Sequence, residues 1–308
     1  MTSPFLAWAG GKSGTLPDLK ASLPDGFDPA TWLYIEPFLG GGALFLDLMP
    51  KTAIVGDLNY YLFDLWRALR DCPEEVIAKL TELKNKMEGM EGKERENFYY
   101  EQREKFNYAE DGRFNDRAAR SIYLNKTNFN ALWRVNASGK YNVPYGKKKN
   151  PSIFDPTHLR EVASYLNNNN VEIRWEPAVD SLSRWRGLSY PFSFETKMAG
   201  WIDSAPGIFA YLDPPYDTDS GQHTSYTAEG FNRKDQEALA VAANSASERG
   251  WKIMMSNADT DFIWNLYSDW NIKQRFSPRS IAADPNERRE VIELLITNYE
   301  SKTEGSLD

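Results

Sequence analysis

Residues 31–36 (TWLYIE) form a short apolar run, PFLGGGALF follows it, and a second run at 52–56 (TAIVG) closes on Asp57. Three consecutive glycines do not continue a strand comfortably, so they predict a turn. The ALFLDL that follows reads as the start of a helix. Strand, glycine turn, helix, strand, acid is the opening unit of a doubly wound α/β sheet.

After Asp57 the texture changes. Leu58, Leu62, Leu65, Trp66 and Leu69 recur at helical spacing, and amphipathic, charged stretches follow at 74–88, 93–107 and 115–125. No strand signal is strong between about 58 and 170. Strand-like patterns return at VEIRW (171–175), GIFAYLD (207–213), WKIMMSN (251–257), WNIKQRF (270–276) and VIELLITNY (291–299), with a helical stretch at 233–249. The last two strands are close enough to pair antiparallel. The reading is an α/β catalytic domain split over 1–57 and 170–308, interrupted by a mainly helical insertion at 58–169. The length of 308 residues accommodates about two domains. The 41% apolar and 26% charged shares exclude wholesale disorder.

Other classes fall away on composition. One cysteine, Cys72, cannot form an internal disulfide. With only His158 and His223 beside it, the chain offers too few ligands for a zinc site, and no metal is expected. No apolar run approaches the 18 residues of a membrane span. The N-terminal MTSPFLAWAGGK lacks a basic segment followed by an apolar stretch, so no secretory signal is read and the cytoplasm is the expected location. The net charge of −8 argues against coating nucleic acid over the whole surface, but not against a local basic face. Nothing in the sequence calls for a protein partner.

The glycine turn, Glu36-Pro37-Phe38-Leu39-Gly40-Gly41-Gly42, lets backbone approach a ligand closely. A dinucleotide fingerprint would need a third glycine where Phe45 stands. Asp57 ends the next strand, where an acid can accept from ribose hydroxyls. A nucleoside without pyrophosphate, such as S-adenosylmethionine, fits better than NAD. The earlier Gly10-Gly11-Lys12-Ser13 invites a phosphate-loop reading, but position 6 is Leu where that motif needs Gly. Read alone, this stretch is a flexible N-terminal arm with one basic residue.

The sharpest signal is Asp213-Pro214-Pro215-Tyr216, which follows the apolar GIFAYL at the carboxyl edge of the predicted sheet. Two prolines remove N–H donors and leave carbonyls that accept. Asp213 and the Pro214 carbonyl can take the two hydrogens of an exocyclic amine such as adenine N6. Tyr216 offers a ring face for the base. The amine's lone pair is delocalised into the purine. Two acceptors on its hydrogens would localise that pair for direct attack on a sulfonium methyl, with no metal.

Residues 125–150 carry Lys126, Arg134, Lys140, Lys147, Lys148 and Lys149 and no acid. Such an island within a helical insertion suits DNA: lysines to phosphates, Asn and Arg to base edges, Phe129 as a wedge in the base stack. The long polar stretch after Tyr216 (DTDSGQHTSYTAEGFN) reads as a substrate-covering loop, with His223 a loop residue rather than a general base.

Taken in order, FLAWAGGK, EPFLGGGALF, GDLN, YLNKTNFNALWRVNASGKYNVPYG, DPPY, SNADT and VIELL resemble the Dam-type (D12 class) DNA adenine N6-methyltransferases, from Phe5 to about Tyr299. The resemblance implies a Rossmann-like seven-stranded sheet with an inserted, mainly helical target-recognition domain. It implies S-adenosylmethionine held by Trp8, Gly10, Lys12, Glu36, Phe38, Gly40, Asp57, Asp180 and Asp213. It implies double-stranded DNA as partner, adenine in GATC as target, and base flipping. Phe129 would be the inserted aromatic, Asn130 would lie beside the target gap, Leu132 and Arg134 would meet base edges, and Arg134 would read a guanine. In familiar members Tyr stands at Phe129 and a small residue or Cys at Trp133; Trp133 is expected to alter the fit at flanking bases. Two other readings fit the same residues: a methyltransferase acting on RNA adenine or a protein amide, and a non-catalytic DNA-binding module with a decayed core.

Overall fold

The computed structural model describes residues 3–8, 10–108, 114–183, 200–201, 204–218, 230–278 and 290–300. Seven strands form one sheet: β1 (Leu33–Glu36), β2 (Thr52–Gly56), β3 (Asn170–Arg174), β4 (Ile208–Leu212), β5 (Lys252–Ala258), β6 (Asn271–Pro278) and β7 (Glu290–Thr297). Their order is β3-β2-β1-β4-β5-β7-β6. The first five are parallel; β7 runs antiparallel to both β5 and β6. The strands β1 and β4 are buried along their whole length, which is why LYIE and IFAYL read as apolar runs without polar alternation. They are neighbours, so the glycine turn after β1 and the DPPY turn after β4 open on the same edge of the sheet.

The helices are α1 (Leu16–Ala21), α2 (Ala43–Leu48), α3 (Tyr60–Asp71), α4 (Pro73–Met87), α5 (Gly92–Tyr108), α6 (Phe114–Thr127), α7 (Pro156–Asn168), α8 (Ala178–Ser183), α9 (Arg233–Glu248) and α10 (Asp261–Leu266). Their starts have local causes. The Asn59 side chain accepts from the Tyr61 N–H to open α3. Asp155 accepts from the N–H groups of Thr157 and His158, with Pro156 at the first turn of α7. Asn232 and Asp235 close a reciprocal capping box on α9. Among the described residues no helix is long and apolar enough to cross a membrane.

Alternation along the strands splits the core. Leu33, Ile35, Ile54, Ala210, Leu212, Ile253 and Met255 face α8, α9 and α10. Tyr34, Val55, Phe209, Tyr211 and Met254 face the other way, in one continuous cluster with α2 to α7. The helices of 58–169 therefore pack on the same buried body as the sheet: Tyr165 of α7 meets Phe45 of α2 at 5.4 Å between ring centroids and donates to the Pro50 carbonyl at 2.8 Å.

The segment 128–146 differs from the helical expectation. After a 3₁₀ turn at Phe129–Ala131, in which Asn130 and Ala131 have φ of 53° and 52°, the chain runs extended. Bridges join Asn128 to Tyr145 and Val135 to Tyr141. Burial alternates with a period of two: Trp133, Val135, Tyr141, Val143 and Tyr145 point inward, while Arg134, Asn136 and Pro144 are exposed. The residues LWRV and YNVPY carry that alternation, and strand periodicity overrides the helical surroundings.

Gly42 sits at φ 65°, and a Cβ there would lie 2.9 Å from Trp66 Cη2 of α3. Gly42→Ala is therefore expected to lose on the order of 2–4 kcal/mol, from backbone strain and overpacking together, read as a lowered urea midpoint.

Candidate active site

The tetrapeptide leaves β4 directly against the N-terminal segment. Lys12 is 6% exposed although the chain reaches it through an arm. Its Nζ lies 2.9 Å from Asp213 Oδ1, donates to the Gly10 carbonyl at 3.0 Å and donates to the Tyr216 hydroxyl at 2.9 Å. The Tyr216 hydroxyl in turn donates a hydrogen bond to Glu293 Oε2 at 3.0 Å. Arg275 Nη2 then donates to Glu293 Oε2 at 3.1 Å and to Ser256 Oγ at 2.9 Å. The result is a buried ladder of alternating charge: Arg275, Glu293, Tyr216, Lys12, Asp213.

The pKa directions follow from that ladder. Burial pushes the Asp213 carboxyl up, against the pull of the Lys12 ammonium. Burial also opposes the charge on Lys12, but Asp213 and Glu293 outweigh it and hold Lys12 above the usual lysine range. Burial, with Asp213 and Glu293 beside it, drives the Tyr216 phenol well above its usual value, so it stays protonated and can donate.

A second set of bonds fixes the turn from behind. Gln236 of α9 donates to the Pro215 carbonyl at 2.9 Å and accepts from Asn257 at 3.1 Å. Asp217 receives Arg233 in a bidentate pair at 3.0 Å on both arms, and Thr260 Oγ1 at 3.0 Å. The Pro215 carbonyl is thus occupied, whereas the Pro214 carbonyl accepts from none of the described residues.

The glycine turn is held as tightly. Asp57 accepts from the Gly40 N–H at 3.0 Å and the Asn59 N–H at 2.8 Å, and the Gly40 carbonyl accepts from Trp66 Nε1 at 3.2 Å. Gly40 has φ 49°, and a Cβ there would stand 2.9 Å from Trp8 Cδ1, so Trp8 packs directly on the turn. Burial raises Asp57 to about 6 despite its two backbone donors. Burial drives Glu36 well above the carboxylate range, and the nearby Asp213 and Asp57 charges add to it, although Tyr34 donates to Glu36 at 2.8 Å. Phe38 meets Phe231 edge-on at 6.0 Å.

A family model described as D12 class N6 adenine-specific DNA methyltransferase matches residues 8–184 and 192–281. The chain belongs to that family. The D12-class assignment is supported by full-length relatives. A Type II methyltransferase M.MjaIII of Methanocaldococcus jannaschii is 35% identical over 310 residues, covering 96% of this chain and 99% of the relative. A Type II methyltransferase M1.LlaDCHI of Lactococcus lactis subsp. cremoris is 33% identical over 306 residues, at 96% and 95% coverage. A DNA adenine methylase of Escherichia coli K12 is 31% identical over 297 residues, at 94% and 93%. This D12-class enzyme is an adenine-specific DNA methyltransferase.

The expected residues do not all meet. Trp8, Gly10, Lys12, Glu36, Gly40, Asp57 and Asp213 converge on the edge shared by β1, β2 and β4. Asp180 is half-buried in the first turn of α8 beyond the end of β3, and no side-chain contact links it to that cluster among the described residues. Phe129 is 38% exposed. Arg134 is exposed and braced by Asn142, whose Oδ1 accepts from Nε at 2.8 Å. Lys140 lies 3.9 Å over the Tyr108 ring, and Lys148 donates to the Lys126 carbonyl at 2.9 Å. Lys147 and Lys149 are exposed. Asn130 and Leu132 are half-buried beside Phe129. Trp133 departs from expectation: it faces inward among Trp8, Tyr61, Phe106 and Tyr141, not toward flanking bases. His223 and most of the loop after Tyr216 lie outside the described residues.

Sequence reading missed Glu293, Arg275, Gln236 and Asn257. Glu293 and Asn257 fall in VIELL and SNADT, stretches already noted for their resemblance. Arg275 and Gln236 carry no local signal. Glu293→Gln keeps an acceptor for Tyr216 but strips the buried Arg275 of its counter-charge. A loss of about 3–5 kcal/mol, the cost of breaking a buried pair from one side, is the expected result in urea unfolding.

Proposed function

We propose that this enzyme transfers the methyl group of S-adenosylmethionine to N6 of an adenine flipped out of duplex DNA, at GATC. The observation that carries this reading is the placement of Asp213, the Pro214 carbonyl and the Tyr216 ring on one sheet edge with the glycine turn. The extruded base would stack on Tyr216 while its amino group gives one hydrogen to Asp213 and one to Pro214. The nitrogen lone pair then attacks the methyl carbon as the carbon–sulfur bond breaks, and the surplus proton passes to the Asp213 carboxylate.

Electrostatics favour a cationic methyl donor. Glu36, Asp57 and Asp213 gather near the turn with Lys12 as their nearest ammonium; burial raises the proton affinity of all three, and at Glu36 repulsion from the Asp213 and Asp57 charges adds to it. The sulfonium and α-ammonium of S-adenosylmethionine relieve that repulsion, whereas a pyrophosphate would add to it. Asp57, already at the end of β2, is suited to ribose hydroxyls.

In this reading 1–57 and 170–308 perform methyl transfer and 58–169 reads DNA. Arg134 is presented by a braced, extended strand, as a bidentate reader of guanine requires. Phe129 would fill the space the flipped base leaves, and Lys147 and Lys149 would meet phosphates.

Incubation with S-adenosylmethionine and unmethylated genomic DNA, followed by base-resolution mapping, is expected to place N6-methyladenine at GATC. Methylation confined to another sequence would overturn the target, and methylation of RNA alone would overturn the substrate. In the same assay Asp213→Ala is expected to lose at least about 10²-fold in rate while its melting curve stays cooperative.

Asp57 supplies a pH test. Ribose hydroxyls donate to its ionised form, so binding favours deprotonation. Affinity for S-adenosylhomocysteine is expected to be flat above pH 6 and to fall as pH drops below the value of about 6, by up to about tenfold per unit. Calorimetry that finds tighter binding on acidification would contradict this role.

A further inference from the structure

Trp133 lies between the two halves of the site. Its ring is 5.5 Å from that of Trp8 at an interplanar angle of 34°, 5.0 Å from Tyr141 and 5.7 Å from Tyr61. It is 6% exposed, and its indole N–H is buried without a hydrogen-bond partner among the described residues. Burying an unpaired donor is unfavourable, so this ring is not held in place by its polar atom. Its shape and its stacking do that.

On one side the stack ends at the cofactor edge. Trp8 leaves no room for a Cβ at Gly40, and a Cβ at Gly41 would stand only 3.2 Å from the Trp8 Cβ, so the ring is packed directly against the glycine turn. On the other side it ends at the DNA-reading segment. The next residue is Arg134, whose carbonyl accepts from the Asn142 N–H at 3.1 Å. Tyr141 accepts from Asn128 Nδ2 at 2.6 Å, one residue before Phe129. A separate tie runs in parallel. Asn125 of α6, 1% exposed, accepts from the Ala7 N–H at 3.0 Å and donates to the Ala7 carbonyl at 2.7 Å. The strip that carries Trp8 is thereby fixed to the helix that leads into Asn128.

We propose that Trp133 is a positioning residue that couples occupancy of the cofactor site to the placement of Arg134 and Phe129. The inference rests on the functional reading above. A ligand that fixes Trp8 against the glycine turn removes alternative placements of Trp133, because a close-packed interior transmits such a restriction rather than absorbing it. Arg134 and Phe129 are then set before DNA arrives, and target discrimination rises when the cofactor site is filled. Linkage makes the effect reciprocal: target DNA tightens the cofactor by the same factor.

The test measures coupling itself. Fluorescence anisotropy gives the affinity for a duplex bearing the mapped target site and for the same duplex with that site permuted, each with and without saturating S-adenosylhomocysteine. It is run on the wild type, Trp133→Phe and Trp133→Met. For the wild type the target affinity is expected to rise about 5–150-fold with S-adenosylhomocysteine, the usual span of such coupling, while the permuted duplex changes little. In W133F, with a smaller ring farther from Trp8, the factor is expected to fall several-fold. In W133M, where a flexible chain fills the space, it is expected to lie within about twofold of unity. Calorimetry of S-adenosylhomocysteine with and without target DNA is expected to return the same factors. Melting curves establish that each variant is folded; if W133M is not, the step from wild type to W133F decides by the same criterion. A wild-type factor of one, or variants that keep the wild-type factor, overturns the inference and leaves the functional reading intact. A wild type that binds neither S-adenosylhomocysteine nor duplex overturns both.

Discussion

The ammonium of Lys12 stands 2.9 Å from the Asp213 carboxylate inside the protein, and the surroundings of both follow from the cost of keeping them there. Desolvating each ion costs several kcal/mol, so each charge needs an opposite charge or a hydrogen-bonding neighbour beside it. Lys12 donates to the Tyr216 hydroxyl and the Gly10 carbonyl and faces the Asp213 carboxylate as an ion pair. Tyr216 then requires an acceptor, which Glu293 supplies, and Glu293 requires a cation, which Arg275 supplies. One ion pair at the end of β4 thus recruits residues from the N-terminal strip and from the β6–β7 hairpin. The tetrapeptide's geometry is a consequence of that recruitment together with the Gln236 and Arg233 contacts of α9.

The N-terminal strip has two neighbours at once. Through Lys12 and Trp8 it closes the edge of the sheet, and through Ala7 it is bonded to Asn125 of α6. The helices that flank the basic island share their buried cluster with one face of the sheet. The parts proposed for chemistry and for DNA reading therefore belong to one packed body. The arm is in contact with both sides, and Trp133 packs against its Trp8.

Much of this was legible. The strand runs at 171–175 and 251–257 lie one residue from β3 and β5: β5 is buried along its centre and shows as an apolar run, whereas the edge strand β3 alternates apolar with charged residues. The glycine turn and its acid were legible because backbone conformation and helix starts are local properties. The helix α7 was overlooked although Leu159, Val162, Ala163 and Leu166 repeat at helical spacing and Asp155-Pro156 marks its start. The helices α1, α8 and α10 have six residues each, too few for a period to register. The extended course of 128–146 was hidden because its alternation is short and sits among helices.

Local order in the chain determined the opening unit, the succession of strands, the glycine turn and the acid–Pro–Pro–aromatic edge, since each depends on residues that are neighbours in sequence. Tertiary structure alone decided which distant groups meet there. Lys12 and Tyr216 are 204 positions apart, and Tyr216 and Glu293 are 77 apart. Those meetings depend on the strand order β1-β4-β5-β7-β6, and no periodicity along one segment encodes which strand will lie beside another. The inward turn of Trp133 was decided the same way: in an extended segment Trp133 and Arg134 face opposite sides, and the presence of Trp8, Tyr61, Phe106 and Tyr141 on one side makes Trp133 the buried one.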